Sequence, residues 1–296
     1  RDAYLKGADG VLLLYDVTEG KTKQNIPKWL EQIKKISPGV PVAVLGNKSD
    51  KFSDLQQSKS VKLRDCNLQR DYGYNEIKNF LISIKEDTYI EFTSGDLLAI
   101  RPKKGEQERL YSIGAGPNHE IVLYIKKHFL GACSQQLASL NQNSKIEARI
   151  VANTKFHTPP DYRSLILISN GTGIAPFIGM AFENKSNANI DLFWGGKSAE
   201  DYELYEEELL SLKANNQIRN LQTIFSLDKN QYVQQLITEN QAEIAEALGN
   251  GISIMICGSI AMGQGVLSEI GVICKNNNLD DIEFYKDNGQ IKLDCY

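Results

Sequence analysis

From residue 165 to the C-terminus, short apolar runs alternate with longer stretches of helical periodicity, and this alternation leaves few architectures open. The runs at 165–169, 190–194, 221–225, 252–257 and 282–285 read as strands, and 174–184, 202–213, 231–247 and 260–277 as helices. Such a repeat predicts a parallel sheet covered by helices. The preceding stretch is patterned differently. Strand candidates at 96–100, 109–113, 121–125 and 145–152 are closely spaced and separated by Gly, Pro and Asn. That spacing suggests a small antiparallel barrel, with Pro159-Pro160 marking a linker. In the first third, residues 11–15 and 40–45 read as buried strands. Ile26, Trp29, Leu30, Ile33 and Ile36 recur at helical spacing between them, and Pro38-Gly39 stops that helix. Residues 52–76 are polar and give no pattern, and 80–84 reads as a third strand.

Composition narrows the function classes. A chain of 296 residues, 42% hydrophobic and 24% charged, has enough apolar material for about two domains and more than one core. Lys+Arg 33 against Asp+Glu 37 leaves a net charge of −4, which argues against a nucleic-acid partner. No apolar run is long enough to span a membrane. The chain opens on Arg1 and shows no signal peptide. Five widely spaced cysteines and three scattered histidines fit neither a disulfide framework nor a metal site. A reducing, cytoplasmic compartment is therefore expected. Charge shifts from net +3 over residues 1–90 to net −7 over 91–296, a sign of a boundary near 90.

Asn47-Lys48-Ser49-Asp50 directly follows a buried strand, where the carboxylate of Asp50 can accept two hydrogen bonds from a guanine edge while Lys48 lies along the base. With Gly7-Ala8-Asp9-Gly10, Tyr15-Asp16-Val17-Thr18 and Ser83-Ile84-Lys85, this segment resembles a Ras-superfamily small GTPase. The resemblance implies guanine contacts from Asn47, Lys48, Asp50, Ser83 and Lys85. No Gly-x-x-x-x-Gly-Lys-Ser/Thr loop is present in the sequence, so loss of most nucleotide affinity and of GTP hydrolysis is expected.

Further motifs follow. Alternation along Arg109-Leu110-Tyr111-Ser112 puts Arg109 and Tyr111 on one strand face; taken alone, Arg109 reads as an ordinary strand arginine. Gly131-Ala132-Cys133-Ser134 opens an apolar helix, suited to a pyrophosphate or simply to capping. Asn170-Gly171-Thr172-Gly173 lies between a strand and a helix with Pro176 in its first turn, where small residues and the helix dipole favour a dinucleotide. Cys257-Gly258-Ser259 ends another strand, and a cysteine there serves equally as core or as a catalytic group.

In order, Gly95 to Ile100, Arg109 to Ser112, Gly131 to Ser134, Gly171 to Phe177, Phe193-Trp194-Gly195-Gly196 and Cys257-Gly258-Ser259 resemble the ferredoxin–NADP reductase family, on the side of the diflavin, sulfite and flavodoxin reductases, over about 92–296. The resemblance implies an NAD(P)H-dependent, FAD-containing oxidoreductase passing electrons to a flavodoxin-, ferredoxin- or haem-type acceptor. It implies FAD contacts from Arg109, Tyr111, Ser112, Gly131 and Ser134, and nicotinamide dinucleotide contacts from Gly171, Thr172 and Gly173. Ser226, Tyr232 and Gln234 match the NADP phosphate site, although Leu227 and Asn230 stand where that family has Arg and Lys. Ser112, Cys257, Asp294 and Tyr296 take the catalytic positions. The expected chain is thus multi-domain. An incomplete α/β GTPase-like segment (1–88) precedes an N-terminally short antiparallel FAD barrel (89–160) and a parallel-sheet NAD(P)-binding domain (161–296). A GTP-binding protein with a reductase-like tail and an inactive chimeric fragment are the alternatives.

Overall fold

The computed structural model describes residues 11–16, 25–36, 42–47, 59–67, 79–84, 91–101, 107–117, 120–126, 132–140, 145–186 and 188–296. The chain divides into two compact units, Arg1–Gln57 and Ser58–Tyr296. In the first, β1 (Val11–Asp16) and β2 (Val42–Asn47) pair in parallel, Val11 opposite Val42 and Asp16 opposite Asn47. Between them in sequence runs α1 (Ile26–Ile36). It buries Ile33, while Lys34 and Lys35 in its last turn complement the helix dipole.

The second unit contains two sheets. The antiparallel one comprises β3 (Lys59–Asn67), β4 (Asn79–Ile84), β5 (Leu97–Ile100), β6 (Arg109–Ser112), β7 (Gly114–Ala115), β8 (Ile121–Lys126) and, after helix α2 (Ala132–Ala138), β9 (Lys145–Val151). Their order across the sheet is β6-β5-β9-β3-β4-β8-β7. β6 and β7 thus lie at opposite edges, although only Ile113 separates them in sequence. The unit boundary falls at 57/58 where the sequence suggested 88, because β3 and β4 pair with β9 and β8. The sheet accordingly gains strands from a region that read as GTPase-like or gave no pattern.

The parallel sheet begins with β10 (Ser164–Asn170), followed by a 3-10 turn at Gly171–Ile174 and α3 (Ala175–Phe182). Then come β11 (Asn189–Gly196), α4 (Ala199–Ala214), β12 (Asn220–Phe225), the single turn α5 (Ser226–Lys229), α6 (Val233–Glu239) and α7 (Gln241–Gly249). β13 (Ser253–Gly258), α8 (Ile260–Asn276), α9 (Ile282–Asp287) and β14 (Ile291–Cys295) complete the chain. The strand order is β12-β11-β10-β13-β14, all parallel.

Two expectations need correction. Residues 282–285 form a helix, because the Asp281 carboxylate accepts from the Phe284 amide at 2.9 Å and caps it. The last strand instead follows Gly289, whose φ of +78° turns the chain. The helix expected at 231–247 breaks at Asn240, whose side-chain amide donates to the Leu236 carbonyl at 2.7 Å and exchanges hydrogen bonds with Gln222.

The two sheets share a core. Val122 and Tyr124 of β8 and Phe156 pack into one cluster with Phe177, Leu192, Trp194 and Cys257. Where α3 crosses β7, the backbones touch. A Cβ at Gly114 would lie 2.2 Å from the Ala175 carbonyl oxygen, and one at Gly179 would lie 2.3 Å from the Ala115 amide nitrogen. Backbone cannot yield as a side chain does, so Gly179→Ala should destabilise this unit by about 1–3 kcal/mol or more. Urea unfolding followed by fluorescence checks it; an unchanged midpoint would show that α3 is not seated on β7.

Candidate functional site

In a parallel sheet the crevice opens where successive connections leave a strand in opposite directions. Here that point lies between β10 and β13, since the chain runs outward to β11 and β12 and returns to β13 and β14. The C-terminal ends flanking it carry Asn170-Gly171-Thr172-Gly173 and Cys257-Gly258-Ser259. They are bolted together. Asn170 Oδ1 accepts from the Ser259 amide at 2.9 Å, and Asn170 Nδ2 donates to Ser259 Oγ at 3.2 Å. Ser259 Oγ in turn accepts from Met262 N and caps the 17-residue helix α8. A Cβ at Gly173 would lie 2.4 Å from the Cys257 carbonyl oxygen, so glycine permits the two strand ends to close up. Gly171, with φ +51°, has open space on its Cβ side, and its carbonyl accepts from Trp194 Nε1 at 3.0 Å.

Register then aligns one row of side chains across the sheet. Trp194 pairs with Ser169, Ser169 with Cys257, and Cys257 with Asp294. Paired residues of a parallel sheet share a face. Ser169 Oγ is buried without a hydrogen-bond partner among the described residues. Cys257 is fully buried, and burial holds its thiol well above the ordinary range, the Asp294 carboxyl adding to the effect. Asp294 Oδ2 accepts from Ser112 Oγ at 2.6 Å and from Cys257 Sγ at 3.9 Å. Burial raises the Asp294 pKa while both hydrogen bonds oppose the rise. The row therefore ends on the antiparallel sheet, at the last residue of β6.

Tyr111 is half-buried on β6 and Tyr296, at 58% exposure, follows β14. The Tyr111 phenol is shifted upward first by burial and then by a hydrogen bond with Cys133, with Arg109 and Tyr296 close enough to act on it. Arg109 is exposed and Ser134 is buried in α2. Thr172 reaches the Tyr296 phenol. The structure thus brings Ser112, Cys257, Asp294, Tyr296, Tyr111 and Thr172 together.

A cleft of about 400 Å³ lies over the strand ends, lined by Asn170, Gly171, Lys197, Ser226, Tyr232, Gln234 and Ser259 among others. It gathers Ser226, Tyr232 and Gln234 from beyond β12, and Gln234 Oε1 is buried without a partner among the described residues. Asp201 and Lys126 also line it. Burial raises the Asp201 pKa, and the ammonium groups of Lys126 and Lys197 pull it down. The sequence motifs include Asn170, Trp194 and Ser259 without giving them a role, and Lys126 and Asp201 stand in no motif. Ser259 carried a readable signal, a serine just before an apolar helix; the others are placed only by the sheet.

Gly131, Lys48, Asp50 and Lys85 lie outside the described residues. Asn47 ends β2 in the first unit, whereas Ser83 lies in β4 of the second, paired with Val122. Among the described residues no cluster of three potential metal ligands exists, and no helix is long and apolar enough to cross a membrane.

Comparison with known proteins finds relatives of two kinds, and the Ras-family match runs past the 57/58 boundary into the second unit. The fold is that of ferredoxin–NADP+ reductase. The enzyme from Plasmodium falciparum superposes with a TM-score of 0.68 at 24% identity, covering 83% of this chain and 98% of that one. Residues 167–267 match the oxidoreductase NAD-binding domain, and residues 1–93 match the Ras family. The sulfite reductase [NADPH] flavoprotein alpha-component of Buchnera aphidicola subsp. Acyrthosiphon pisum is 31% identical over 261 residues, 80% of this chain and 42% of that protein. The Ras-related protein Rab-13 of Canis lupus familiaris is 36% identical over 90 residues, 30% of this chain and 41% of that protein. The chain spans under half the length of these curated relatives. Both resemblances read from the motifs are borne out.

The Asp294 shift fixes a sign. An acid whose pKa is higher in the folded state stabilises the fold below its unfolded value, about 3.9, and loses that contribution as pH rises through the folded value. Relative to Asp294→Asn, the native chain should therefore lose stability between pH 4 and pH 7. Paired urea titrations at those two pH values check this, and a gain with rising pH would contradict it.

Proposed function

We propose that Ser58–Tyr296 is an NAD(P)H-dependent flavoprotein reductase that binds FAD and a nicotinamide dinucleotide and passes electrons to a small flavodoxin-, ferredoxin- or haem-type protein. The observation that carries this reading is the convergence of Ser112, Cys257, Asp294 and Tyr296 from two sheets beside the switch-point cleft. In this reading the antiparallel sheet closes as the flavin barrel, because its two edge strands are joined through Ile113 alone.

The residues present fit both groups. For the dinucleotide, Gly171 leaves open space at its Cβ position, and the orphaned Gln234 Oε1 and Ser169 Oγ are buried acceptors or donors awaiting a partner. Gly171, Thr172 and Gly173 would take its backbone, with Ser226, Tyr232, Gln234 and Lys197 toward the ribose phosphate. A lysine at that phosphate favours NADPH over NADH. For FAD, Arg109 would hold a phosphate, Tyr111 would stack on the ring system, and Gly131 and Ser134 would take the pyrophosphate. When both are bound, they supply hydride transfer from nicotinamide to flavin. The chain's own part is to orient and to exclude water. Ser112 presents its hydroxyl, Asp294 holds that hydroxyl's proton through Oδ2, Cys257 stays a protonated thiol, and Tyr296 would cover the flavin side of the site and have to move aside for a dinucleotide to enter.

The Ras-family match over residues 1–93, together with the parallel β1–β2 pair, supports a second reading. In it the first unit contributes guanine contacts from Asn47, Lys48 and Asp50, which GTP titration tests separately.

Removing one charge-assisted phosphate contact costs about 1.5–3 kcal/mol, so Arg109→Ala should weaken FAD binding roughly 10- to 100-fold. Ser112→Ala should retain FAD but slow its reduction by NADPH by about tenfold or more. Fluorescence titration of FAD and stopped-flow bleaching measure these effects. Unchanged affinity in the first variant together with an unchanged rate in the second would sink the assignment.

A further inference from the structure

A circuit of polar contacts closes around the Ser112–Asp294 bond through residues the proposed chemistry does not use. Asp96 is 4% exposed, and its carboxylate accepts at three points. Oδ2 accepts from the Thr93 amide at 2.9 Å, while Oδ1 accepts from the Asn153 amide at 2.8 Å and from His157 Nε2 at 2.6 Å. The backbone around Asp96 also brackets the residue after Ser112. Ile113 N donates to Asp96 O at 3.0 Å, and Gly95 N donates to Ile113 O at 2.9 Å. Gly95 has φ +101°, and a Cβ there would lie 2.5 Å from the Phe156 carbonyl oxygen, so the Gly95-Asp96 turn sits flush under the segment 153–157.

The far side of that segment is held by Lys292, whose Nζ donates to the His157 carbonyl at 2.6 Å. Lys292 stands on β14 two residues before Asp294, on the same strand face. The path Ser112, Ile113, Asp96, His157, Lys292, Asp294 and back to Ser112 is closed, and it crosses from one sheet to the other twice. A surface lysine usually keeps its ammonium in water. This one is half-buried, burial lowers its pKa, and among the described residues no carboxylate forms an ion pair with it. A lysine desolvated for a single backbone carbonyl needs a reason, and the strand it fixes supplies one.

We propose that Lys292 is a positioning residue: by holding the 153–157 segment from β14 while Asp96 holds it from β5's leading turn, it locks the register of β14 and keeps Asp294 on Ser112. Its kinetic consequence rests on the reductase reading; its structural consequence does not. Loosening this latch frees β14 at the edge of the parallel sheet, and the first group uncovered is Cys257, paired with Asp294 and fully buried. Cys274, 2% exposed within α8, lies in the core on the other side and serves as an internal control.

The test is pulsed alkylation of the cofactor-free full chain with N-ethylmaleimide, with labelling at Cys257 and Cys274 read separately by peptide mass spectrometry. Lys292→Met and Asp96→Asn should each raise the Cys257 labelling rate by about tenfold with Cys274 unchanged, the pattern of a local opening. Lys292→Arg, which keeps the donor, should return Cys257 to the native rate. With FAD and NADPH added, Lys292→Met should lower the flavin reduction rate while leaving NADPH affinity unchanged. Native Cys257 labelling in both disrupting variants overturns the latch, as does a rise at Cys257 matched by one at Cys274, which would report general destabilisation. If labelling responds as expected but no variant, nor the native chain, reduces flavin, the latch stands and the reductase reading fails.

Discussion

The candidate site of the second unit depends on the distance between its two sheets. Ser112 and Asp294 lie 182 positions apart and meet at 2.6 Å. One side-chain hydrogen bond contributes at most about 3 kcal/mol, too little to dock two sheets. The spacing is set instead by α3 seated backbone-to-backbone on β7 through Gly114 and Gly179, and by the core in which Val122, Tyr124 and Phe156 pack with Phe177 and Trp194. The hydrogen bond then reads out a geometry that packing has already imposed. A methyl group at either glycine would displace Ser112 from Asp294 without touching either residue.

The parallel sheet contributes in two ways at the same edge. Its strand ends offer backbone and a cleft at the switch point, as any such sheet must. Its register lines up Trp194, Ser169, Cys257 and Asp294, so that groups from four strands point into one space. The Asn170–Ser259 bridge ties these roles together, because the residue that closes β10 onto β13 also fixes the cap of α8. Burial does the electrostatic work along this row, pushing both the Cys257 thiol and the Asp294 carboxyl toward their protonated forms.

Much of this was legible in the chain because local and global preferences agree there. The β-α alternation fixed the parallel sheet, and glycine-rich strand ends fixed the cleft. Legibility failed where tertiary pairing decides. Residues 59–67 alternate too weakly to read as a strand, yet β9 and β4 provide partners. Ile282 to Tyr285 look like a strand until Asp281 is recognised as a cap. The helix at 231–247 breaks because Asn240 exchanges hydrogen bonds with Gln222 of β12. The site residues followed the same division. Ser112 and Cys257 stand in the ordered motifs and Asp294 and Tyr296 were implied by the resemblance those motifs carry, whereas Lys292 and His157 belong to no motif, Asp96 was given no role in its own, and the three are related only by the fold.

The proposed role of the cleft and the Ser112–Asp294 contact is to support electron flow from a nicotinamide to a flavin. Anaerobic mixing of the FAD-loaded full chain with NADPH, with the flavin absorption followed, tests it. The flavin band should bleach at a rate that saturates with NADPH. A chain that holds FAD yet keeps its oxidised spectrum with saturating NADPH and NADH alike would contradict it.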